Sequence, residues 1–449
     1  MRSLFFVTGF CLMALLSIAQ SASDLISELK TINNAVVNTS CISGRGMLIS
    51  NRAMNLFLSY KIGSYLSDVN DLSFYKNNVI VDAMKGTLSV NHNFFQPNGI
   101  DEPVRSFLVA GAKANIANAF AAAYAGKQFN NELGFTIKQT WISKTTTHYN
   151  RCEPEQVSNS LLQHKEIMDA QRAVILHTLE NEIKKKNTDF ENAIHAIRQD
   201  DIPGQEIGKA NTGLQEKFYS DLKEEYTLKF ADLQYSTLVE TNYYNHVTAC
   251  WTSISTYIPL LRQKYFVAES FSRNFEEIHA YPWELTVSHT RFWEGRKIGR
   301  IYFTLSAEVL RNNSIRSDAL YKTNRTDYKN LGGTDTLHFT ATEPNEDVFI
   351  GFYKSFFTPV INGRIIWFPF DSHVGVSVRM DQNIGTDKSL TGKFGIPIVL
   401  IDKKGEPAAN FEFQVRFFDL NNETMPVKKI GDKTSVGLTV GIPFSKIIY

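Results

Sequence analysis

Apolar and polar residues alternate one by one along much of the chain, most clearly in its last stretch. There Val436, Leu438, Val440, Ile442 and Phe444 alternate with glycine, threonine, proline and serine. Because successive side chains of a strand point to opposite faces, one face is wholly apolar and the other is small or weakly polar. Such a strand separates an apolar phase from a wetter one.

The same period of two recurs often enough to predict a closed sheet. We count 12 alternating segments: 79–94, 104–119, 133–141, 248–260, 283–290, 300–309, 336–342, 357–367, 374–381, 393–400, 410–417 and 434–449. Their polar faces mix Gly, Ser, Thr and Asn with occasional charges, as a barrel lumen does. A soluble sandwich also alternates, but its polar face would be an exterior of long charged side chains. The pattern predicts a mainly β fold, a transmembrane antiparallel β-barrel of 12 strands.

Two other stretches have helical periodicity instead. Within residues 153–239, the apolar positions Leu161, Met168, Ile175, Leu179 and Ile183 are spaced by 7, 7, 4 and 4 residues. This spacing predicts a large helical insertion. Residues 22–75 are interpreted as a lead-in or a hatch segment, and the barrel is assigned to residues 76–152 and 240–449.

The strand count also predicts which side of the membrane the insertion faces. If the chain enters the barrel from the periplasm at residue 79, three strands precede the insertion, which then emerges on the extracellular side. The short turn at residues 402–405 then faces the periplasm, as short turns of outer-membrane barrels do.

The beginning of the chain predicts export. Residues 1–21 carry Arg2 and an apolar run too short to span a membrane, followed by small residues, which is the pattern of a secretory signal peptide. No later apolar run is long enough for a helical span. We therefore expect the outer membrane as the location and its lipids as a partner. The net charge of +1, without a basic run, argues against nucleic acid as a partner.

Three cysteines follow the predicted leader. Cys152 and Cys250 bracket the helical insertion on strands that we expect to be adjacent, so we predict a disulfide between them that leaves Cys41 over. The alternative is a pair of reduced, buried cysteines. No spacing of Cys and His residues predicts a metal site, and no motif predicts a cofactor.

The alternating segments with tight turns resemble outer-membrane β-barrels of Gram-negative bacteria. In detail the chain is most similar to uncharacterised barrels of the Bacteroidota type, through GKFGIPIVLIDKKGEPAANFEFQVRFFD and the closing VGLTVGIPFSKIIY. The resemblance implies the fold and the location alone. One departure is Tyr449, which is out of phase with the alternation of residues 436–444.

Charged residues on the polar faces are the candidates for lining the lumen. They are Lys85, Lys113, Glu132, Lys138, Glu284, Arg300, Glu308, Arg364, Arg379, Asp381, Lys393, Glu412 and Arg416. They form either a charged constriction that selects solutes or a network of ion pairs that fills a closed interior. Ser288 and Ser372 each precede a histidine, but neighbours on a strand face opposite ways, so we predict no catalytic residue and no enzyme.

The sequence leaves three functions open. The first is a porin-like channel or transporter for small solutes. The second is a non-conducting barrel that anchors a helical binding or structural module, with a possible protein partner at the insertion. The third is a hydrophobic-ligand transporter in which residues 22–75 act as the hatch.

Overall fold

The structure is a computed structural model that describes most of the chain after residue 44. The described residues are 27, 45–46, 49–62, 77–82, 87–94, 103–115, 124–125, 128–129, 133–143, 145–148, 156–197, 204–241, 244–270, 275–317, 319–325, 328–330, 340–342, 346–370, 372–386, 388–402, 407–423 and 429–443. The predicted leader, Cys41 and Cys152 lie outside them.

Twelve antiparallel strands close into one barrel, which confirms the mainly β, antiparallel barrel of 12 strands that the sequence predicts. They are β1 (Asn78–Asp82), β2 (Thr87–Asn93), β3 (Ser106–Asn115), β4 (Gly134–Ile142), β5 (His246–Pro259), β6 (Glu284–Gly295), β7 (Gly299–Asn313), β8 (Ser355–Pro369), β9 (Val376–Asn383), β10 (Leu390–Ile401), β11 (Pro407–Phe417) and β12 (Thr434–Pro443). Each strand pairs with its neighbours in the chain, and β12 pairs with β1 to close the barrel.

The predicted number of strands is right through two errors that cancel. The segment 79–94, predicted as one strand, is the hairpin of β1 and β2, in which Asp82 pairs with Thr87. The described part of the predicted segment 336–342 is not in the barrel, because Thr340–Thr342 pairs with Tyr328–Asn330 in a separate two-stranded sheet. Four strands, not three, therefore precede the long helices.

This difference reverses the predicted topology. With four strands before them, the helices leave the barrel at the same end as the start of β1, which we call the helix end. The connections at 296–298, 370–375 and 402–406 join strands at this end too, whereas the longer connections 260–283 and 314–354 lie at the opposite end, the loop end. The prediction that the helices and the turn at 402–405 face opposite sides is wrong.

Among the described residues, three α-helices lie at the helix end. They are α1 (Asn51–Ile62), α2 (Gln156–Ile197) and α3 (Gly204–Thr241). α2 and α3 have 42 and 38 residues and pack through a buried cluster that includes Leu179 and Leu222. Tyr226 of α3 donates a hydrogen bond to Glu182 of α2 (2.7 Å). Burial and this carboxylate raise the pKa of Tyr226 above its ordinary value.

None of the helices in the described part of the chain is long and apolar enough to cross a membrane.

Short strands complete the structure at both ends. At the loop end, Gln263–Ala268, Glu276–Ala280, Tyr321–Arg325 and Glu346–Ile350 form a four-stranded sheet. At the helix end, Arg45–Gly46 pairs with Thr146–His148. Thr146–His148 also pairs with β5 and so continues the line of β4 along it. In the connection between β3 and β4, Tyr124–Ala125 pairs with Gln128–Phe129. In the connection between β11 and β12, the 3-10 turn Ile430–Lys433 directly precedes β12.

Burial along the barrel strands is the reverse of that in a soluble sheet. On β8, Ile361 and Ile365 point outward and are 49% and 51% exposed, whereas the inward-pointing Asn362 and Arg364 are 6% and 9% exposed. The same alternation, apolar outside and polar inside, runs around the other long strands. Large exposed apolar surfaces on a sheet need an apolar environment or a partner to cover them.

The predicted disulfide is not formed. Cys250 is a free thiol, and its carbonyl accepts a hydrogen bond from the amide of Ser143 (2.9 Å). The ladder continues past this point, with His148 opposite His246. Cys250 is therefore in register with Ser143, well before Cys152 in the chain, and this register is the physical reason that the prediction fails.

Candidate functional site

The interior of the barrel has an apolar part at the helix end, and α1 occupies it. Phe57 of α1 is fully buried in the cluster that contains Phe292, Tyr302 and Phe368 from the barrel wall. These three aromatic residues occupy inward positions of β6, β7 and β8, and apolar residues at inward positions of β3, β5 and β10 complete the cluster. Burial of aromatic side chains contributes a large part of the packing energy of a protein core. α1 is therefore a tightly packed plug in the mouth of the barrel.

The carboxyl end of α1 is fixed to the wall by polar groups. The Tyr302 hydroxyl donates to the carbonyl oxygen of Lys61 (2.5 Å), and Arg300 Nη1 donates to the same oxygen (3.4 Å). The Lys61 ammonium lies 3.1 Å from Glu294 Oε1, with side-chain exposures of 12% and 5%. Removing one partner of such a buried pair is costly, because it leaves the other charge buried without compensation.

The same helix also contacts α3. The Phe57 ring lies edge-on to Tyr235, with ring centroids 6.2 Å apart. The Ser50 amide donates to Gln234 Oε1 (2.7 Å). α1 is therefore held between the barrel wall and α3. A displacement of either one would be transmitted to the other through α1.

One side of α1 is less tightly packed. A cavity of about 460 Å³ lies between α1 and the wall, where β3 begins and β4 ends. Asn51, Met54, Asn55 and Leu58, which share one face of α1, line it together with Pro103, Val104, Arg105, Ile142, Ser143 and Thr145. The volume is in the range of small-molecule sites, and it also leaves room for α1 to shift.

Beyond this apolar part, four cationic residues lie side by side on the inner wall. Arg364 of β8 is directly opposite Arg379 of β9, which is opposite Lys393 of β10, which is opposite Arg416 of β11. We call these four residues the cationic row. Directly opposed residues have Cβ atoms about 4.5–5.5 Å apart, and like charges so placed are destabilising.

Two carboxylates lie on either side of the cationic row. Asp381 accepts a hydrogen bond from Arg379 Nε (2.6 Å) on the side of the loop end. Glu412, on the side of the helix end, accepts one from the Ser377 hydroxyl. Gly395 lies between these two residues, and a Cβ there would overlap both the carboxylate and the hydroxyl. The glycine thus lets Glu412 cross β10 toward β9.

The other predicted lumen residues are spread over the remaining wall. The burial pattern places Lys113, Lys138, Glu284 and Glu308 at inward positions of β3, β4, β6 and β7. The Lys113 ammonium lies 4.9 Å from the centre of the Tyr257 ring, and Glu284 contacts Arg316 (3.3 Å). Arg300 belongs to the α1 anchor and not to a solute path. Lys85 and Glu132 lie outside the described residues.

Some predictions about individual aromatic and polar residues are corrected or refined by the structure. Aromatic residues at strand ends are typical of the interfacial girdles of an outer-membrane barrel, but Phe368, at the end of β8, points inward and is fully buried. Ser288 lies at an inward position, while His289 faces outward and bonds Thr252 Oγ1 (3.0 Å).

The comparisons with known proteins add no assignment. No protein-family model matches the chain, and no curated protein matches it.

The sequence predicts residues 22–75, which include α1, as a lead-in or a hatch, but it does not identify Phe57 as the residue that holds this helix. Its helical spacing was visible, but the seating of Phe57 in the barrel depends on the aromatic residues of three separate strands. One signal was available: Tyr302 occupies a position on the polar face of an alternating segment, where a large ring indicates a packed interior.

Proposed function

We propose that this protein is an outer-membrane β-barrel that passes small hydrophilic solutes through its lumen, with α1 as the segment that must shift for passage. The observation that carries the proposal is the reversed burial, apolar outside and polar inside. This burial pattern supports a lipid-facing outer surface around a hydrophilic interior within one closed wall.

The arrangement of the connections supports the orientation. The connections at 296–298 and 370–375 are short and lie at the helix end, while 260–283 and 314–354 are long and lie at the loop end. In outer-membrane barrels the short turns face the periplasm and the long loops face outward. We therefore place α1, α2 and α3 in the periplasm and the four-stranded sheet outside the cell.

The position of α1 supports gated passage in preference to a permanently open pore. Phe57 and its aromatic neighbours close the helix end, whereas the inward-facing Arg379 side chain keeps 18% of its surface exposed in the lumen. The cavity beside α1 provides space into which the helix can move. Hatches and lids of this kind move on time scales of microseconds and longer.

Single-channel recording in planar lipid bilayers tests the proposal. The wild-type chain should show brief, infrequent openings. The double variant Glu294→Gln with Tyr302→Phe, which weakens the anchor of α1, should open at least ten times more often. The matched control is Glu225→Gln with Tyr321→Phe, which makes the same changes on α3 and in the four-stranded sheet, both outside the barrel.

The result that would overturn passage is a wild type and an anchor variant that both insert and never conduct. Insertion is checked separately by heat-dependent gel mobility of outer-membrane extracts. A monodisperse periplasmic protein that needs no detergent would overturn the location as well.

A second candidate function is a non-conducting barrel that anchors α2 and α3. The observation that favours it is the direct contact between α1 and α3, which joins α1 to the pair of helices α2 and α3. An inserted barrel that stays closed in every variant supports this candidate.

A further inference from the structure

We infer that the cationic row is a binding site for a small organic anion that carries carboxylate or phosphate groups, and that such anions are the solutes of the barrel. This inference rests on the proposed passage through the lumen and specifies its substrate class. The row is formed by Arg364, Arg379, Lys393 and Arg416.

The first argument is geometric. Neighbouring strands are about 4.8 Å apart, so four residues in direct register span roughly 14 Å of the inner wall. Three of the four are arginines, whose planar guanidinium groups match the two oxygens of a carboxylate or the oxygens of a phosphate. A row of this length offers several such contacts to one small molecule that carries more than one acidic group.

The second argument is the charge balance of this part of the wall. The inward positions of β8 to β11 carry the four cations of the row and two carboxylates, Asp381 and Glu412, which leaves an excess of two positive charges. In a partly desolvated interior, like charges repel more strongly than in water. A bound anion with two negative charges would balance this excess.

Neutral hydroxyl groups lie beside the cationic row. At the same level of the wall, Arg364 is opposite Thr304 of β7, and Thr304 is opposite Thr290 of β6. Their hydroxyl groups are 3.0 Å apart and can donate or accept hydrogen bonds. The cationic side of the site thus continues into neutral hydroxyls that suit the uncharged part of an organic anion.

The row is also partly exposed inside the barrel. The side chains of Arg379 and Asp381 are 18% and 12% exposed, although they point into the barrel. Because these residues face away from the outer surface, the headgroups of membrane lipids do not reach them, and the anion must come from solution. The alternative explanation is a set of internal ion pairs that only stabilises the wall.

Calorimetry with the full-length barrel in detergent tests the site without requiring conduction. The probes are citrate, inorganic phosphate and, as a neutral reference, glycerol. The variant Lys393→Gln with Arg416→Gln removes the excess of two charges. The matched control, Lys184→Gln with Lys185→Gln, removes two exposed lysines of α2 outside the barrel. Heat-dependent mobility shows which variants are folded.

We expect citrate and phosphate to bind to the wild type and the α2 control, and glycerol not to bind. Citrate affinity should fall at least ten-fold in the row variant, because each charge-assisted contact is worth about that factor. In bilayers, the reversal potential should indicate a preference for anions in the wild type and lose it in the row variant.

The outcomes separate the two proposals. Binding of citrate that depends on the row, in a barrel that never conducts, supports the site and overturns passage. Conduction without anion preference, together with equal citrate affinity in the row variant and the wild type, overturns the site and leaves passage in place. Absence of citrate and phosphate binding in a folded wild type overturns the site as well.

Discussion

Phe57 is the residue whose removal should most clearly release α1 from the barrel. It is fully buried, and its ring is 6.2 Å from each of the rings of Tyr235 and Tyr244. Truncation of a buried phenylalanine to alanine costs about 3–5 kcal/mol. Since 1.4 kcal/mol is a factor of ten, Phe57→Ala should raise the undocked fraction of α1 by about one hundred-fold to a few thousand-fold.

Labelling of a cysteine placed at Ser59 measures this fraction. Ser59 lies in α1, is fully buried, and its hydroxyl has no hydrogen-bond partner among the described residues. A cysteine there therefore changes little and reacts with a maleimide only when α1 undocks. The native cysteines are replaced by serine, and the labelling rate is compared between Phe57 and Phe57→Ala backgrounds.

The control is Val174→Ala, which removes an apolar side chain of α2 that is 67% exposed and should leave the rate unchanged. Equal labelling rates with Phe57 and with Phe57→Ala would refute the idea that this ring holds α1 in place. Rapid labelling in both backgrounds would show that α1 does not occupy the barrel mouth at all.

Two further predictions concern the outer wall and the helix pair. Ile361→Lys places a charge on the outward face of β8, where 49% of the isoleucine is exposed. If lipid covers this face, the free energy of unfolding from vesicles, measured by urea titration, should fall by about 2–4 kcal/mol. An unchanged free energy of unfolding would contradict lipid contact. The raised pKa of Tyr226 means that the folded state keeps its phenol protonated where the unfolded state, with a pKa of 10.0, loses the proton. The stability that this group contributes is fully present below pH 10.0 and is lost as the pH rises above it. Tyr226→Phe should remove this alkaline dependence of the melting temperature in a series of thermal melts. An identical pH profile in both proteins would contradict a raised pKa of Tyr226.

The alternation alone was sufficient to predict which residues face inward on the long strands. Arg364 and Ile365 are neighbours in the chain, and their opposite burial follows directly from the period of two. The number of strands was right only because two errors cancelled, but the closed barrel followed from the same pattern. These features depend only on local sequence.

The hairpin of β1 and β2 was missed although the sequence marks it. Val79 and Val81 occupy odd positions, while Leu88 and Val90 occupy even ones, so the apolar face changes phase between them. In a single strand the phase is constant, and a change requires a turn or a bulge. This small oversight reversed the side on which the helices were placed.

The cationic row and the seat of α1 were not predictable from local patterns. Each member of the row was recognised as inward-facing, but their direct opposition depends on the register of four strands, which the lengths of the turns determine. The seat of Phe57 depends likewise on residues from β6, β7 and β8. Both are properties of long-range pairing.

The shortest strand has a consequence for the biogenesis of the protein. β1 has five residues, and its ladder with β12 runs from Asn78 opposite Pro443 to Asp82 opposite Thr439, whereas β7 and β8 pair over 15 residues each. This seam joins the two extremes of the barrel sequence, so its closure costs the most chain entropy and gains a ladder of only five residue pairs. Assembly of the wall therefore ends at β1, and if the wall ever parts to release a molecule sideways, it parts there.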